Sequence, residues 1–252
     1  MKSTLISGFT ALSVIYIAFL IFVALNQKGM IYFPSRYPAG EMTDYYSDLG
    51  VQVVRLDTSN GNQIEAWWFP PPSDTAPVII FCHGNAGDLR GRADEGISWG
   101  KRGIGMLLFD YQGYGASEGT ASEENLYADA LAAYKYLHDK KQIPDTRIII
   151  FGRSLGGGVA SYLASQKPHA GLILARSFTS LVDRAKERYP FLPISLIARN
   201  RFMTNERLDK IPGPVLVIHG DQDEIIGFHH GQTLAKLLGD KAETYWVEGA
   251  GH

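Results

Sequence analysis

The sequence contains a single cysteine, Cys82, among 252 residues. One thiol cannot close an internal disulfide, and no CxxC pair is present to hold zinc or run a dithiol redox cycle. Cys82 ends the apolar run Val78-Ile79-Ile80-Phe81-Cys82, the setting of a buried core thiol rather than a reactive one. Basic runs are missing as well. Lys and Arg number 24 against 26 Asp and Glu, and nowhere do they gather into a phosphate-backbone footprint, which argues against nucleic acid as a partner. Internal repeats and low-complexity tracts are absent. With 45% hydrophobic residues, a chain of this length suits one large α/β domain with a full core better than two small ones.

Charge is also missing near the N-terminus. No charged residue lies between Lys2 and Lys28, and Leu5 to Leu25 is almost wholly apolar. About 20 such residues span a bilayer core as a helix. A cleavable signal peptide carries a shorter apolar stretch, roughly 7–15 residues, with a small-x-small cleavage site, and Ala24-Leu25-Asn26-Gln27 offers none that convinces. Residues 1–28 are therefore expected to form an uncleaved, single-pass transmembrane anchor. Lys2 and the terminal amine on one side nearly balance Lys28 and Arg36 on the other. The side of the catalytic domain stays open, with a lean to the non-cytoplasmic one. Residues 29–50 read as a tether, rich in aromatics, Pro and Gly and without clear periodicity.

Beyond the tether, residues 51–56 and 64–69 have the pattern of two strands, with Asn60-Gly61 as the turn between them. Short apolar runs follow at 78–82, 104–109, 147–151, 171–175 and 214–218, as expected of strands buried on both faces of a parallel sheet. The clearest helix runs from Ser122 to Lys140, with Thr120 and Glu123 as a capping box at its start. A helix near Phe228–Leu238 precedes a last strand, Glu243 to Val247. Strands alternating with helices predict a doubly wound α/β fold, whose ligands bind at the C-terminal ends of the strands.

The chemistry-bearing residues fall at those ends. Gly152-Arg153-Ser154-Leu155-Gly156 follows a strand and opens a helix, the G-x-S-x-G pattern of a nucleophile elbow. The turn is so sharp that side chains two residues either side of the serine would collide, hence glycine at 152 and 156. An inert Gly-rich turn would read the same, but the strand before and helix after favour catalysis by Ser154. His83-Gly84-Asn85-Ala86-Gly87 follows the strand at 78–82 and lies in the first loop beside the elbow. The backbone amides of Leu155 and Asn85 are the expected oxyanion donors, and His83 is expected to shape this loop.

An acid and a base should follow the serine in that order. After the strand ending at Ile218 come Asp221, Asp223 and Glu224; Asp221 sits close enough to the strand for a turn or cap role, and Asp223 is the preferred acid. After the last strand, Val247-Glu248-Gly249-Ala250-Gly251-His252 supplies His252 as the base. His219 reads as a strand-end packing residue, and His229 and His230 as surface residues at a helix start. No metal or organic cofactor is implied.

Taken together, the apolar N-terminus, His83–Gly87, the run Phe109-Asp110-Tyr111-Gln112-Gly113-Tyr114-Gly115, Gly152–Gly157, His219–Ile226 and Val247–His252 resemble the membrane-tethered α/β-hydrolase-domain family. That family is similar to serine aminopeptidases and includes depalmitoylating thioesterases. The resemblance implies an α/β-hydrolase fold with an eight-stranded, mostly parallel sheet over residues 51–252. It also implies a triad of Ser154, Asp223 and His252, and structural roles for Asp110 and Tyr111. Arg176 and Ser177 depart from the acidic residue and proline the family carries there, which weakens any transfer of substrate. The family continues past its histidine with a helix, so residues 1–252 are expected to be either a fragment or an impaired enzyme. The expected activity is hydrolysis of a carboxylic ester or thioester through an acyl-enzyme on Ser154. Peptide or amide hydrolysis, or a non-catalytic membrane-bound binding scaffold, are the alternatives. Residues 177–210 are expected to form a short, basic lid carrying Phe178, Tyr189, Phe191, Leu192, Ile197 and Phe202. It would face anionic headgroups and admit an acyl chain from lipid or lipidated protein.

Overall fold

A computed structural model of the protein describes residues 2–42 and 50–252. Helix α1 (Lys2–Ile31) is followed by a short strand β1 (Phe33–Pro34) and the antiparallel hairpin β2 (Gln52–Asp57) and β3 (Gln63–Phe69). Then come β4 (Val78–Cys82), β5 (Ala86–Gly87), α2 (Ala93–Gly100), β6 (Gly105–Phe109), α3 (Glu123–Lys135) and β7 (Ile148–Arg153). The chain closes with α4 (Leu155–Gln166), β8 (Gly171–Ala175), α5 (Leu181–Arg188), α6 (Ile194–Ile197), β9 (Val215–Gly220), α7 (Phe228–Leu238) and β10 (Ala242–Val247). Eight strands form one mixed sheet in the order β10-β9-β8-β7-β4-β6-β3-β2. All neighbours are parallel except β2 with β3 and β3 with β6. Sequence reading placed these strands and α7 to within a residue or two.

Alternation along the central strands explains why their runs are apolar without a break. In β4, Val78, Ile80 and Cys82 belong to one core cluster, with Leu107, Ile150 and Leu172. Ile79 and Phe81 belong to another on the opposite face, with Trp67, Met106 and Leu108. Both faces are covered, so neither set can be polar. Cys82 is fully buried, and that burial pushes its thiol well up.

The sheet also has a switch point. From β4 the chain moves outward to β6 and then returns across β4 to β7 on its other side. Loops leaving β4 and β7 therefore diverge from adjacent strand ends and leave a crevice between them.

Two local readings change. The cap of α3 is Ser122, not Thr120: Ser122 is extended, and its side chain accepts from the Asn125 amide at 3.2 Å. Asn125 lies three positions after Ser122, the N3 site whose amide a capping hydroxyl accepts from.

The second change concerns residues 29–50. Rather than starting a loose tether, Gly29 to Ile31 prolong α1, and Phe33–Pro34 pairs in parallel with Ala86–Gly87. Tyr37 donates from its hydroxyl to the buried Glu65 at 2.8 Å. Aromatics read as linker composition are thus docking residues. Residues 43–49 of that segment lie outside the described residues.

Candidate active site

Ser154 sits where β7 ends and α4 begins, with φ 54° and ψ −123°. A non-glycine residue in that region is strained by about 1–3 kcal/mol, and the surroundings over-determine it. Its amide donates to Ala175 O at 2.9 Å, and its carbonyl accepts from the Gly157 amide at 2.9 Å and the buried Ser177 Oγ at 3.2 Å. Glycine is required on both sides, though by a different clash from mutual collision. A Cβ on Gly156 would run into the Cys82 carbonyl of the neighbouring strand, and one on Gly152 into the Gly156 carbonyl. Backbone, unlike a side-chain tip, cannot swing away. Gly156→Ala is therefore expected to cost about 3 kcal/mol, read as a lower urea midpoint with an unchanged slope.

The β4 loop lies against the serine, with Gly84 facing the Ser154 Cβ. His83 is buried; its Nδ1 bonds Gly84 O at 2.7 Å, and its ring lies 4.2 Å from that of Tyr111. Asp110 lies 3.5 Å from His83 Nε2, and burial raises its carboxyl pKa. The Tyr111 hydroxyl donates to His83 O at 2.9 Å. These contacts shape the loop. Asn85 is fastened at three points: its carbonyl accepts from the Phe33 amide (2.9 Å) and the Tyr114 hydroxyl (2.8 Å), and its Nδ2 donates to Ile31 O at 3.0 Å. Leu155 begins α4, where amides have no intrahelical acceptor.

The other two predicted side chains converge on Ser154. His252 Nε2 lies 3.1 Å from Ser154 Oγ, and His252 Nδ1 lies 2.8 Å from Asp223 Oδ2. Asp223 Oδ1 accepts from the amides of Ile225 (2.9 Å) and Ile226 (2.8 Å). Burial works to raise the Asp223 pKa, but the Ile226 amide, the His252 imidazole and the Ile225 amide outweigh it and hold the carboxyl below its usual range. Asp221 has the turn role: its Oδ1 accepts from the Gly249 amide at 2.7 Å, pinning the loop that carries His252. Glu224 is exposed.

Two residues beside Ser154, Asp223 and His252 have contacts that the sequence did not announce. His219 is buried with Nε2 2.8 Å from Ile226 O and 3.3 Å from Asp223 Oδ2, so it backs the acid as well as packing. Burial lowers its pKa, against the Ile226 carbonyl and the Asp223 charge, which keeps it neutral. The sequence signal was the spacing His219–Asp223 across a turn. Ser177, the supposed departure from family pattern, braces the elbow; a Cβ at Gly157 would strike its hydroxyl, so the two positions fit as a pair.

His230 is also a correction, being buried rather than on the surface. The Thr179 amide donates to its Nδ1 at 3.2 Å, which leaves the ring proton on Nε2, 3.2 Å from Glu187 Oε2. His229 Nε2 lies 2.8 Å from Glu187 Oε1. Glu187, His229 and His230 lie close enough to share an ion, but in this tautomer His230 offers Glu187 a proton rather than a lone pair.

Above Ser154 opens a cavity of about 330 Å³, at the small end for ligand sites. Its walls come from α5 and α6 of the lid, from Ile225 and Ile226, and from α1. Phe178 and Tyr189 line this space, while Phe202 is fully buried and Phe191 is exposed, so the aromatics of residues 177–210 divide between cavity, packing and surface.

A mixed sheet with a serine on a strained strand-to-helix turn at its switch point defines an α/β hydrolase. Residues 73–203 match the family described as serine aminopeptidase, S33. The chain is 36% identical over 234 residues to an uncharacterized protein of Mycobacterium tuberculosis, covering 92% of this chain and 83% of that one. It is also 36% identical over 207 residues to alpha/beta hydrolase domain-containing protein 17B of Homo sapiens, covering 80% and 69%. Among solved structures, an esterase of Pyrococcus furiosus shares the fold, with a TM-score of 0.69 at 21% identity over 88% of this chain and 89% of that one. The chain belongs to the serine aminopeptidase S33 family of α/β hydrolases.

Proposed function

We propose that the protein cleaves carboxylic esters or thioesters of acyl groups through an acyl-enzyme on Ser154. The observation that carries this reading is the relay Asp223–His252–Ser154, at 2.8 and 3.1 Å, opening into an apolar cavity. His252 Nε2 takes the hydroxyl proton as Ser154 Oγ bonds to the acyl carbon. The amides of Leu155 and Asn85 stabilise the oxyanion. When the tetrahedral adduct collapses, the bond to the leaving oxygen or sulfur breaks and His252 returns the proton to it. Water then repeats the sequence on the acyl-enzyme, releasing the carboxylic acid and restoring Ser154. Asp223 stays ionised and orients the imidazole.

Peptide hydrolysis uses the same triad, and the family description names an aminopeptidase. An amino-terminal substrate carries a cation that calls for a carboxylate partner. Among the described residues the cavity is lined by Arg184 and Arg188 and by no Asp or Glu, which favours an acyl chain.

The test is acid quenching of the full-length protein during turnover of 4-nitrophenyl acyl esters of graded length. A mass increment equal to the acyl group, located on the peptide bearing Ser154, is the expected result; turnover without that adduct would overturn the acyl-enzyme. Each methylene buried contributes about 0.8 kcal/mol, roughly a fourfold gain in kcat/KM. The gain is expected to continue until the cavity is filled.

A further inference from the structure

Helix α1 is long and apolar enough to cross a membrane, its candidate span being Leu12–Ile31. A helix serving only as an anchor would have no reason to present one face to the catalytic domain. α1 does so along a stripe at positions 16, 20, 23, 27 and 31, the i, i+4, i+7 spacing of a single helix face. The Tyr16 hydroxyl donates to Phe191 O at 2.9 Å. Leu20 and Val23 pack with Val182, Leu192 and Ile194 of the lid. Val23 is 7% exposed while the adjacent Phe22 is 62% exposed. The stripe from Tyr16 to Ile31 covers about 22 Å of helix axis at 1.5 Å per residue.

Gln27 makes the docking specific. An amide within an apolar span is costly unless satisfied, and both ends of this one are used. Its Nε2 donates to Ile197 O at 2.6 Å, and its Oε1 accepts from the Arg199 amide at 2.9 Å. The last carbonyl of the helix, Ile31 O, holds the side chain of Asn85. α1 is thereby latched to the lid at one point and to the loop beside Ser154 at another.

From this arrangement we infer that α1 is a wall of the substrate site, and that the acyl chain lies between it and the lid with its far end toward the bilayer. Val23, Gln27, Met30 and Ile31 line the same cavity as Ser154 and His252, and all four belong to the candidate span. In the same lid segment Phe191 and Leu196 are 63% and 86% exposed, and Phe191 is joined to α1 through the Tyr16 hydroxyl. Exposed apolar side chains flanking a membrane-spanning helix are placed to enter the same lipid phase. A chain drawn from the bilayer would pass from lipid to α1 to Ser154 without crossing water. The inference rests on the ester or thioester reading for the chemistry of the occupant, but not for the position of the wall.

The experiment uses the full chain in phosphatidylcholine–phosphatidylglycerol nanodiscs with a 4-nitrophenyl hexadecanoyl ester carrying a diazirine at its chain end. In the Ser154→Ala protein, illumination is expected to attach the label to α1 between Leu20 and Ile31 as well as to the lid. In the Ser154-intact protein, Val23→Trp is expected to lower the ratio of hexadecanoyl- to acetyl-ester kcat/KM at least tenfold. Met30→Trp, at a half-exposed position, repeats the measurement if Val23→Trp does not fold. Label confined to residues outside α1, or an unchanged ratio in the folded variants, would overturn the wall. A wild type that turns over neither ester while the label still maps to α1 would instead sink the hydrolytic reading and leave the wall standing.

Discussion

Replacing Ser154 by alanine is expected to lower kcat by about 10⁶ and to abolish covalent labelling by a fluorophosphonate. In the proposed mechanism the Oγ forms the acyl bond, and it lies 3.1 Å from His252 Nε2. The fold should survive, because alanine keeps the Cβ and the backbone bonds that hold residue 154. Ser154→Gly makes a second, opposite prediction. At φ 54° glycine carries no Cβ penalty, so relief of strain should raise stability by up to about 1 kcal/mol while activity is lost. A wild-type protein that is never labelled, in detergent or in lipid, would leave a binding scaffold as the better account. Labelling that persists in Ser154→Ala would place the nucleophile elsewhere.

Asp223→Asn is expected to lower kcat by about 10⁴ while leaving the polypeptide folded at neutral pH. An amide at 223 can keep one acceptor for the Ile225 and Ile226 amides, but its NH₂ cannot accept the His252 Nδ1 proton, so the imidazole is left in the wrong tautomer. Asp221→Asn should cost less than tenfold, since its remaining oxygen still accepts from Gly249. Asp221→Ala should act differently, loosening the loop of His252 and raising KM and lowering kcat together. If Asp221→Asn proved the more damaging of the two, the acid would lie two residues upstream.

The same carboxyl predicts a pH effect on folding. Its folded pKa lies below the ordinary value, so it contributes stability that is present above the unfolded pKa of about 3.9 and is lost as pH falls through the folded one. Wild type should therefore lose stability more steeply than Asp223→Asn on acidification below about pH 4. Parallel acid limbs in urea titrations of the two proteins would contradict this.

Much of the candidate site could be read from local pattern because each proposed catalytic position is tied to a strand end. Gly152 and Gly156 are legible as glycines forced by a close approach, and Ser154 follows from them. Asp223 and His252 follow from order and from the strands before them. His219 was seen as packing because its second partner, Asp223 Oδ2, is met only when the β9 loop turns back. His230 looked exposed at a helix start because nothing nearby in sequence announces Thr179 and Glu187, which lie more than 40 residues away and cover it.

The apolar span, the strand and helix alternation, and the residue types standing at the strand ends are properties of short segments, and the sequence alone determined them. Periodicity and turn chemistry act over a few residues and need no knowledge of what lies across the molecule. The placement of α1 against the lid was not of that kind. A stripe at positions 16 to 31 reads the same whether it faces lipid or protein, since both are apolar. Only the folded chain brings Gln27 to Ile197 and Arg199, and Ile31 to Asn85. Contacts between residues 54 to 172 positions apart depend on sheet order and lid placement, and tertiary structure decided that a presumed tether and anchor form one side of the cavity at Ser154.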